Sequence, residues 1–243
     1  YDKADSTSVP DSIRKDVQQK RKNIKPKKIG IPWHLFKEGV DQEVLENFKD
    51  SMERLKKIGY EIVDIELPYS KYSLATYYII MPAEVSTNLS RFDGIRYGLS
   101  LDGENLKEVY MRSRGKGFGK ETRRRILLGT YVLSHGYYDA YYNKAIKVRE
   151  KIKEEIMTAF EKVDYILTPT VPMTAFKLGE KMDDPVSMYL CDIFSAPANL
   201  SGVPSIALPS GKSSVGLPFS IQFMAPHFCE DALFEIGKNF EKA

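Results

Sequence analysis

Residues 41–68 read DQEVLENFKDSMERLKKIGYEIVDIELP, and two different periodicities follow one another within this stretch. Up to Gly59, apolar residues recur at steps of three and four, which predicts an amphipathic helix that the glycine ends. The apolar positions of this predicted helix are Val44, Phe48, Met52, Leu55 and Ile58. The apolar residues after Gly59 predict a short strand over 62–67, which Pro68 ends.

A further apolar segment at 29–32 precedes this helix, so the sequence predicts strand, helix and strand in succession. The section from about 72 to 163 has few strand signals and several glycine-broken helical patterns, which predicts a helical insert. Its clearest apolar stripe consists of Val148, Ile152, Ile156, Phe160 and Val163. The remaining chain predicts an apolar run at 165–167, a proline-rich loop at 168–172, a helix at 185–195, strands at 205–208 and 219–223, and a last helix from about Asp231. The predicted fold class is therefore α/β, a mixed sheet covered by helices with a helical insert.

The composition of the chain excludes some classes of function but does not indicate a particular one. The chain has 243 residues, 42% of them hydrophobic, and a formal charge of +3, which is too balanced to indicate a nucleic-acid or membrane partner by itself. No apolar run is long enough to cross a bilayer, and the two cysteines lack the spacing of a zinc site. We therefore expect a soluble cytoplasmic protein without a metal site. Segment 1–28 is polar and basic and is interpreted as a connector, and the start at Tyr1 rather than Met leads us to expect a piece of a longer chain.

Sequence motifs of catalysis are missing. The chain contains no Gly-x-Ser-x-Gly elbow, no phosphate-binding glycine loop and no His-Glu-x-x-His pair. His34, His135 and His227 occur in unrelated contexts, and none of them is predicted to be a general base. No catalytic residue is therefore assigned.

Two ionic features stand out. The first is the run of arginines at 123–125 before an apolar stretch at 126–131, where at least one arginine is expected to turn inward; spacing alone does not choose between Arg124 and Arg125, and a solvated basic face is the alternative. The second is Asp192 within an apolar segment. Its carboxylate is expected to be partly desolvated and to need a cation or several donors, with helix capping or an internal salt bridge as the alternative.

Motifs along the whole chain resemble the glutamine-hydrolysing component of the tRNA-dependent amidotransferases, such as the glutamyl-tRNA(Gln) amidotransferases, a branch of the amidase signature family. They are Tyr77-Tyr78-Ile79-Ile80 with Ala83-Glu84, 88–98 (NLSRFDGIRYG), 117–119 (GFG), 124–131 (RRILLGTY), 136–142 (GYYDAYY), 168–170 (TPT), 183–185 (DDP), Asp192, 197–200 (PANL) and 202–204 (GVP). The similarity is collinear, which favours this branch over general amidases of the same family.

The resemblance implies an amidase-signature fold that releases ammonia from glutamine, with this chain as the C-terminal portion of a single such domain. The family's catalytic lysine and two serines lie upstream of the stretch that corresponds to 5–8, so none is placed here and the chain alone is expected to be inactive. By motif position, Arg125 resembles the arginine that holds the α-carboxylate of glutamine, and Asp192 resembles the aspartate that holds its α-ammonium. Tyr77 resembles a tyrosine that lines the pocket. A guanidinium and a carboxylate complement a zwitterionic amino acid.

The implied function is that of the glutaminase component of a heterotrimeric glutamyl-tRNA(Gln) amidotransferase, in which ammonia converts Glu-tRNA(Gln) to Gln-tRNA(Gln). The B and C subunits of that complex are the expected partners, with ATP and Mg²⁺ held by a partner and tRNA reached indirectly through the complex. No cofactor and no membrane contact are expected for this chain. The alternatives are a stand-alone amidase for a small amide, and a noncatalytic interaction fragment.

Overall fold

The chain folds into two compact units. A computed structural model describes residues 1–21, 27–36, 39–181 and 184–243. Residues 1–74 and 150–243 form the first unit, called the sheet unit below, and residues 75–149 form the second, called the helical unit.

The chain contains both helices and strands. Within the described ranges the helices are α1 (Asp11–Arg21), α2 (Gln42–Lys57), α3 (Ser73–Asn88), α4 (Leu106–Gly117), α5 (Lys120–Val132), α6 (Lys144–Ala159), α7 (Pro185–Tyr189), α8 (Ala196–Ser201) and α9 (Glu230–Glu241). In the same ranges the strands are β1 (Lys28–Ile31), β2 (Glu61–Asp64), β3 (Tyr165–Pro169), β4 (Ser205–Lys212) and β5 (Pro218–Met224). No helix among the described residues combines the length and the apolar character needed to cross a membrane.

The strands form one mixed sheet in the sheet unit. Across the described residues its order is β2-β1-β3-β5-β4, with β1 parallel to β2 and β3, and β5 antiparallel to β3 and β4. Ile29 lies opposite Ile62 in the parallel part, and Ile166 lies opposite Met224 in the antiparallel part. The predicted fold class, a mixed sheet covered by helices, is confirmed.

Helix α2 packs its apolar face against this sheet. Val44, Phe48, Met52 and Leu55 are buried, which confirms the predicted stripe up to that point. Ile58 was wrongly included in it: the residue follows the last helical residue as the C-cap and is 39% exposed. Gly59 takes a φ of +97° next, so the chain has already turned away from the helix axis.

Strand β2 is shorter than predicted. It ends at Asp64, although Ile65 and Leu67 beyond it are buried. The Ile65 side chain packs against Gly30, and a Cβ added to Gly30 would lie 2.8 Å from Cδ1 of Ile65. The Leu67 amide donates to Nε2 of His34 at 3.2 Å instead of to a neighbouring strand. The Ile65 amide still donates to the Ile31 carbonyl oxygen of β1 at 3.1 Å, so backbone bonding to β1 ends just past Asp64, whereas burial continues to Leu67.

Strand β3 is longer than predicted. Residues 168–172 were predicted to be a loop, yet the strand continues through Pro169, which lies opposite Ile221 of β5. Pairing of β3 with β1 already ends at Ile166. The missing N–H of Pro169 therefore leaves no gap in the ladder on that side.

The predicted helix at 185–195 is divided in the structure. Asp184 caps α7 by accepting from the Ser187 amide at 3.1 Å, and the helix ends at Tyr189. A short 3-10 turn at Leu190–Asp192 follows, and α8 then begins with Pro197 in its first turn. Proline suits a first helical turn and not an interior, which explains the restart.

Helices α3 to α6 occupy the part of the chain predicted to be a helical insert. The description of the chain as one domain with a connector at 1–28 and an insert at 72–163 stays a prediction. Within that connector α1 forms a helix, while the basic segment 22–26 lies outside the described residues.

Candidate functional site

In the helical unit, α3 and α5 approach each other closely at a glycine. Gly129 of α5 is buried, and a Cβ at this position would collide with the carbonyl oxygen of Pro82 in α3. Arg125 lies one helical turn before Gly129, and Tyr78 lies one turn before Pro82. The close contact thus places the arginine on the α3 side of α5.

Arg125 is surrounded by three groups of different character. Its Nε donates to Oε1 of Glu121 at 2.8 Å, its Nη1 lies 3.5 Å from Sδ of Met81, and its Cζ lies 5.7 Å from the ring centre of Tyr78. Its side chain is 28% exposed. The guanidinium is thus held on a partly apolar rim, and the expectation that one arginine turns inward is met.

The charge of Arg125 is secured by Glu121. Burial on its own lowers the arginine pKa, but the hydrogen bond and the negative charge of Glu121 outweigh it and raise the pKa. Arg125 therefore remains cationic. Arg124 donates to the other oxygen of the same carboxylate at 2.7 Å with its side chain 38% exposed, and Arg123 is exposed.

The reason given for an inward arginine needs correction. The apolar run at 126–131 was expected to be buried, but Leu127 is 71% exposed and Tyr131 is also exposed. Gly129 and Val132 are the buried residues of α5. Contact with α3, rather than burial of the next turn, orients Arg125.

Tyr77 lies beside the same ring that Arg125 contacts. It is half-buried on α3, and its ring meets that of Tyr78 edge-on at 5.1 Å. The structure therefore brings Tyr77 and Arg125 together around Tyr78. Sequence reasoning gave Tyr78 no role, although the Tyr-Tyr pair was quoted as a motif.

Asp192 belongs to the sheet unit. It is half-buried at the end of the 3-10 turn, and its carbonyl oxygen accepts from the amide and the hydroxyl of Ser195, both at 3.1 Å. The next residues are fixed to the sheet, because Gln222 of β5 donates through Nε2 to the carbonyl oxygen of Phe194 at 2.9 Å. The turn that carries Asp192 is therefore anchored by a buried polar side chain.

A polar cluster near this anchor was missed from the sequence. Gln222 is buried and its Nε2 also lies 3.4 Å from Oγ1 of Thr168, which is buried on β3. Within the described part of the chain, Oγ1 of Thr170 is buried and has no hydrogen-bond partner. Gln222 occupies a polar position of the alternating strand 219–223 (FSIQF), so nothing in the sequence signals that it is buried. Buried polar groups of this kind call for a partner.

The roles predicted for Tyr77, Arg125 and Asp192 stay predictions. Asp183, part of a quoted motif, lies outside the described residues. Where residues are described, no group of three or more His, Cys, Asp or Glu side chains is arranged to hold a metal ion.

Comparisons with known proteins identify relatives along the whole chain. Residues 1–234 match the family model named Amidase. The chain is 49% identical over 243 residues to the A subunit of glutamyl-tRNA(Gln) amidotransferase from Thermodesulfovibrio yellowstonii, covering 100% of this chain and 50% of that protein. The chain thus spans about half the length of the curated relatives it matches.

Solved structures agree with the fold. The crystal structure of the A subunit of glutamyl-tRNA(Gln) amidotransferase from Thermotoga maritima superposes with a TM-score of 0.71 at 35% identity, covering 100% of this chain and 48% of that one. A structure described as an amidase gives a TM-score of 0.70 at 20% identity, covering 90% of this chain and 46% of that one. At that identity the second structure supports the fold alone.

Proposed function

Because this chain belongs to the amidase family, we propose that it is the C-terminal part of the glutamine-hydrolysing subunit of a tRNA-dependent amidotransferase. The complete subunit would release ammonia from glutamine, and the ammonia would convert Glu-tRNA(Gln) to Gln-tRNA(Gln). The relatives with this name share 46–49% identity with the chain, which supports this branch of the family.

The arrangement around Arg125 is the observation that carries the proposal. A half-buried guanidinium beside two tyrosines is suited to an α-carboxylate, because a planar fork binds two carboxylate oxygens and burial strengthens the attraction. We assign the carboxylate of glutamine to Arg125 and one wall of its pocket to Tyr77.

For the α-ammonium of glutamine we propose Asp192. A half-buried carboxylate on an anchored turn suits the α-ammonium of glutamine, because a fixed anion loses little entropy when it binds a cation. A stand-alone amidase for a neutral amide would need neither charge.

Hydrolysis itself is assigned to residues outside this chain. A serine nucleophile needs a base and oxyanion donors, and the family's two serines and lysine are not placed in this sequence. We therefore propose that the chain alone releases no ammonia. Activation of the tRNA-bound carboxylate, with ATP and Mg²⁺, is assigned to a partner in a cytoplasmic complex with the B and C subunits.

The test compares two neighbouring arginines that share Glu121. In the complete complex, Arg125→Lys should lower kcat/KM for glutamine by about tenfold or more, since lysine loses the bidentate charged hydrogen bonds. Arg124→Lys makes the same chemical change on the same carboxylate and should have little effect. Transfer from free ammonium should be unchanged in both, because that reaction bypasses glutamine. Equal losses in the two variants, or a loss with ammonium, would refute the role of Arg125.

A further inference from the structure

The two units differ in charge in a way that the whole chain conceals. Residues 75–149 contain 13 Lys and Arg against 7 Asp and Glu, a formal charge of +6, while the whole chain carries +3. The rest of the chain is therefore at −3. A basic unit of this kind attracts polyanions, and the attraction decreases with salt.

This basic unit contains a cleft with aromatic walls. The cleft has a volume of about 200 Å³ and is lined by Phe92, Tyr97 and Leu99 from the segment after α3, and by Arg114 and Phe118 from the end of α4. Small-molecule sites are usually roughly 300–1,000 Å³. The cleft is therefore sized for one flat ring system rather than for a whole metabolite.

Two rings that line the cleft each contact a guanidinium, one from Arg91 beside the cleft and one from Arg114 in its wall. The guanidinium of Arg91 lies 5.3 Å from the ring centre of Tyr97, and that of Arg114 lies 4.9 Å from the ring centre of Phe118. Phe92 and Tyr97 meet edge-on at 6.4 Å, and Tyr97 is 51% exposed. Bases of unpaired nucleic acid stack on such rings and guanidinium planes while the cations track phosphates.

Hydrogen bonds fix the segment that carries these rings. Nη1 of Arg114 donates to the carbonyl oxygens of Leu89 and Phe92, at 3.0 and 2.9 Å. The hydroxyl of Ser113, buried on α4, accepts from the Leu101 amide at 2.9 Å. The cleft is thus built before any ligand arrives, which reduces the entropic cost of binding.

The acidic residue between Phe92 and Leu99, Asp93, accepts hydrogen bonds from its own turn. The carboxylate of Asp93 accepts from the amides of Ile95 and Arg96 at 2.8 and 3.2 Å, and these bonds lower its pKa. Gly94 follows with a φ of +85° and packs against Ser113, where a Cβ would lie 2.5 Å from Oγ. Asp93 thus serves the turn and is not among the residues that line the cleft.

We propose that this cleft binds an unpaired base of single-stranded RNA, with Arg91 and the surrounding basic side chains on the flanking phosphates. The choice of RNA rests on the proposed function, whose substrate is a tRNA, whereas the cleft itself rests on the geometry above. The helical unit would then contact RNA directly, whereas the family resemblance implied contact with tRNA only through the other subunits of the complex.

The experiment measures fluorescence anisotropy of a labelled single-stranded RNA oligonucleotide with the complete protein at low salt, without glutamine. Tyr97→Ala should weaken binding by about tenfold or more, because it removes a stacking ring. Tyr97→Phe should bind as the wild type does, and Tyr97→Leu should bind as Tyr97→Ala does. Arg91→Gln removes the guanidinium that contacts the Tyr97 ring and should reduce both the affinity and the salt dependence, whereas Arg123→Gln on α5 should reduce them less.

Two results would overturn the proposal. The first is equally tight binding of an oligonucleotide of the same length that lacks bases. That result would show that the helical unit binds only as a nonspecific basic surface. If Tyr97→Leu binds the RNA as tightly as the wild type does, the contact is generally apolar, as at a protein interface, and does not depend on base stacking. Ammonia release from glutamine should be intact in Tyr97→Ala, so failure of RNA binding and failure of the proposed glutaminase activity are separate outcomes.

Discussion

The sheet unit and the helical unit distribute their apolar side chains in opposite ways. The principal core cluster lies in the sheet unit, with Phe48, Tyr165, Phe223 and Phe240 almost completely buried. In the helical unit, which is described throughout, the buried apolar side chains are Ile80, Pro82, Ala83, Val132 and Ala145, while large ones such as Leu127 are exposed.

This difference indicates that one unit mainly stabilises the fold and the other mainly presents groups for binding. Burial of large apolar side chains is the main source of stability, so the sheet unit should hold most of the folding free energy. The helical unit places its rings, arginines and exposed apolar groups where a ligand or a partner can reach them.

The largest effect is expected at the centre of the sheet. Phe223→Ala should lower the free energy of unfolding by about 3–5 kcal/mol, because it removes a ring packed edge-on against Tyr165 and Phe240. Leu127→Ala in the helical unit should change it by less than about 0.5 kcal/mol. Urea denaturation of the complete protein measures both, and similar values for the two variants would contradict the contrast.

The sequence predicted the sheet unit well for the same reason. Helix α2 buries one face, so Val44, Phe48, Met52 and Leu55 gave a clear helical period. The errors occurred at strand ends: Leu67 is buried although its amide bonds to His34 rather than to a strand, and Pro169 belongs to β3 although its proline-rich surroundings predicted a loop. Periodicity reports burial, and it cannot report which backbone groups pair.

A large functional effect is expected at Asp192. Asp192→Asn keeps the size but removes the charge that we assign to the substrate ammonium. Loss of one side of a desolvated pair costs roughly 2–5 kcal/mol, so kcat/KM for glutamine should fall at least about 30-fold. Transfer from free ammonium serves as the control. Lower thermal stability with unchanged glutamine kinetics would make Asp192 a structural residue.

The site was less predictable than the fold. Arg124 and Arg125 are the same residue type at adjacent positions, and only their tertiary contacts distinguish them. Gly129 allows α3 to pack against one side of α5, which is the side of Arg125. That contact is tertiary and leaves no local period. Resemblance chose Arg125, whereas the burial of α5 inferred from its sequence was wrong.

A moderate effect is expected from two glycines in the helical unit. Gly129→Ala places a methyl group against the Pro82 carbonyl and 2.8 Å from Cβ of Ser86, and such overpacking costs about 1–3 kcal/mol. Gly115→Ala on α4 meets nothing within 4 Å and should instead stabilise its helix by about 0.5–1 kcal/mol. Thermal melts should show a lower Tm for Gly129→Ala and a higher Tm for Gly115→Ala. A higher Tm for both variants would mean that α3 and α5 separate easily.

The smallest effect is a pH dependence within the sheet unit, at Glu155 of α6. Its carboxylate accepts from the Tyr69 amide at 2.7 Å and from the Ser70 hydroxyl at 2.6 Å. Burial raises its pKa above the ordinary value of 4.5 and outweighs these hydrogen bonds, which lower it. The folded protein therefore holds the proton more tightly than the unfolded chain does.

The sign of the pH effect follows from that difference. A group whose pKa is raised by folding contributes full stability below its unfolded pKa, and this contribution is lost as the pH rises through the folded pKa. Between these two values, the free energy of unfolding of the wild type should fall relative to that of Glu155→Gln, which cannot ionise. Glu154→Gln removes an exposed carboxylate from the same helix and should preserve the fall. Denaturation of the complete protein at a series of pH values from about 4.5 upward measures the difference between the curves. Parallel curves for the wild type and Glu155→Gln would show that burial does not govern this carboxylate.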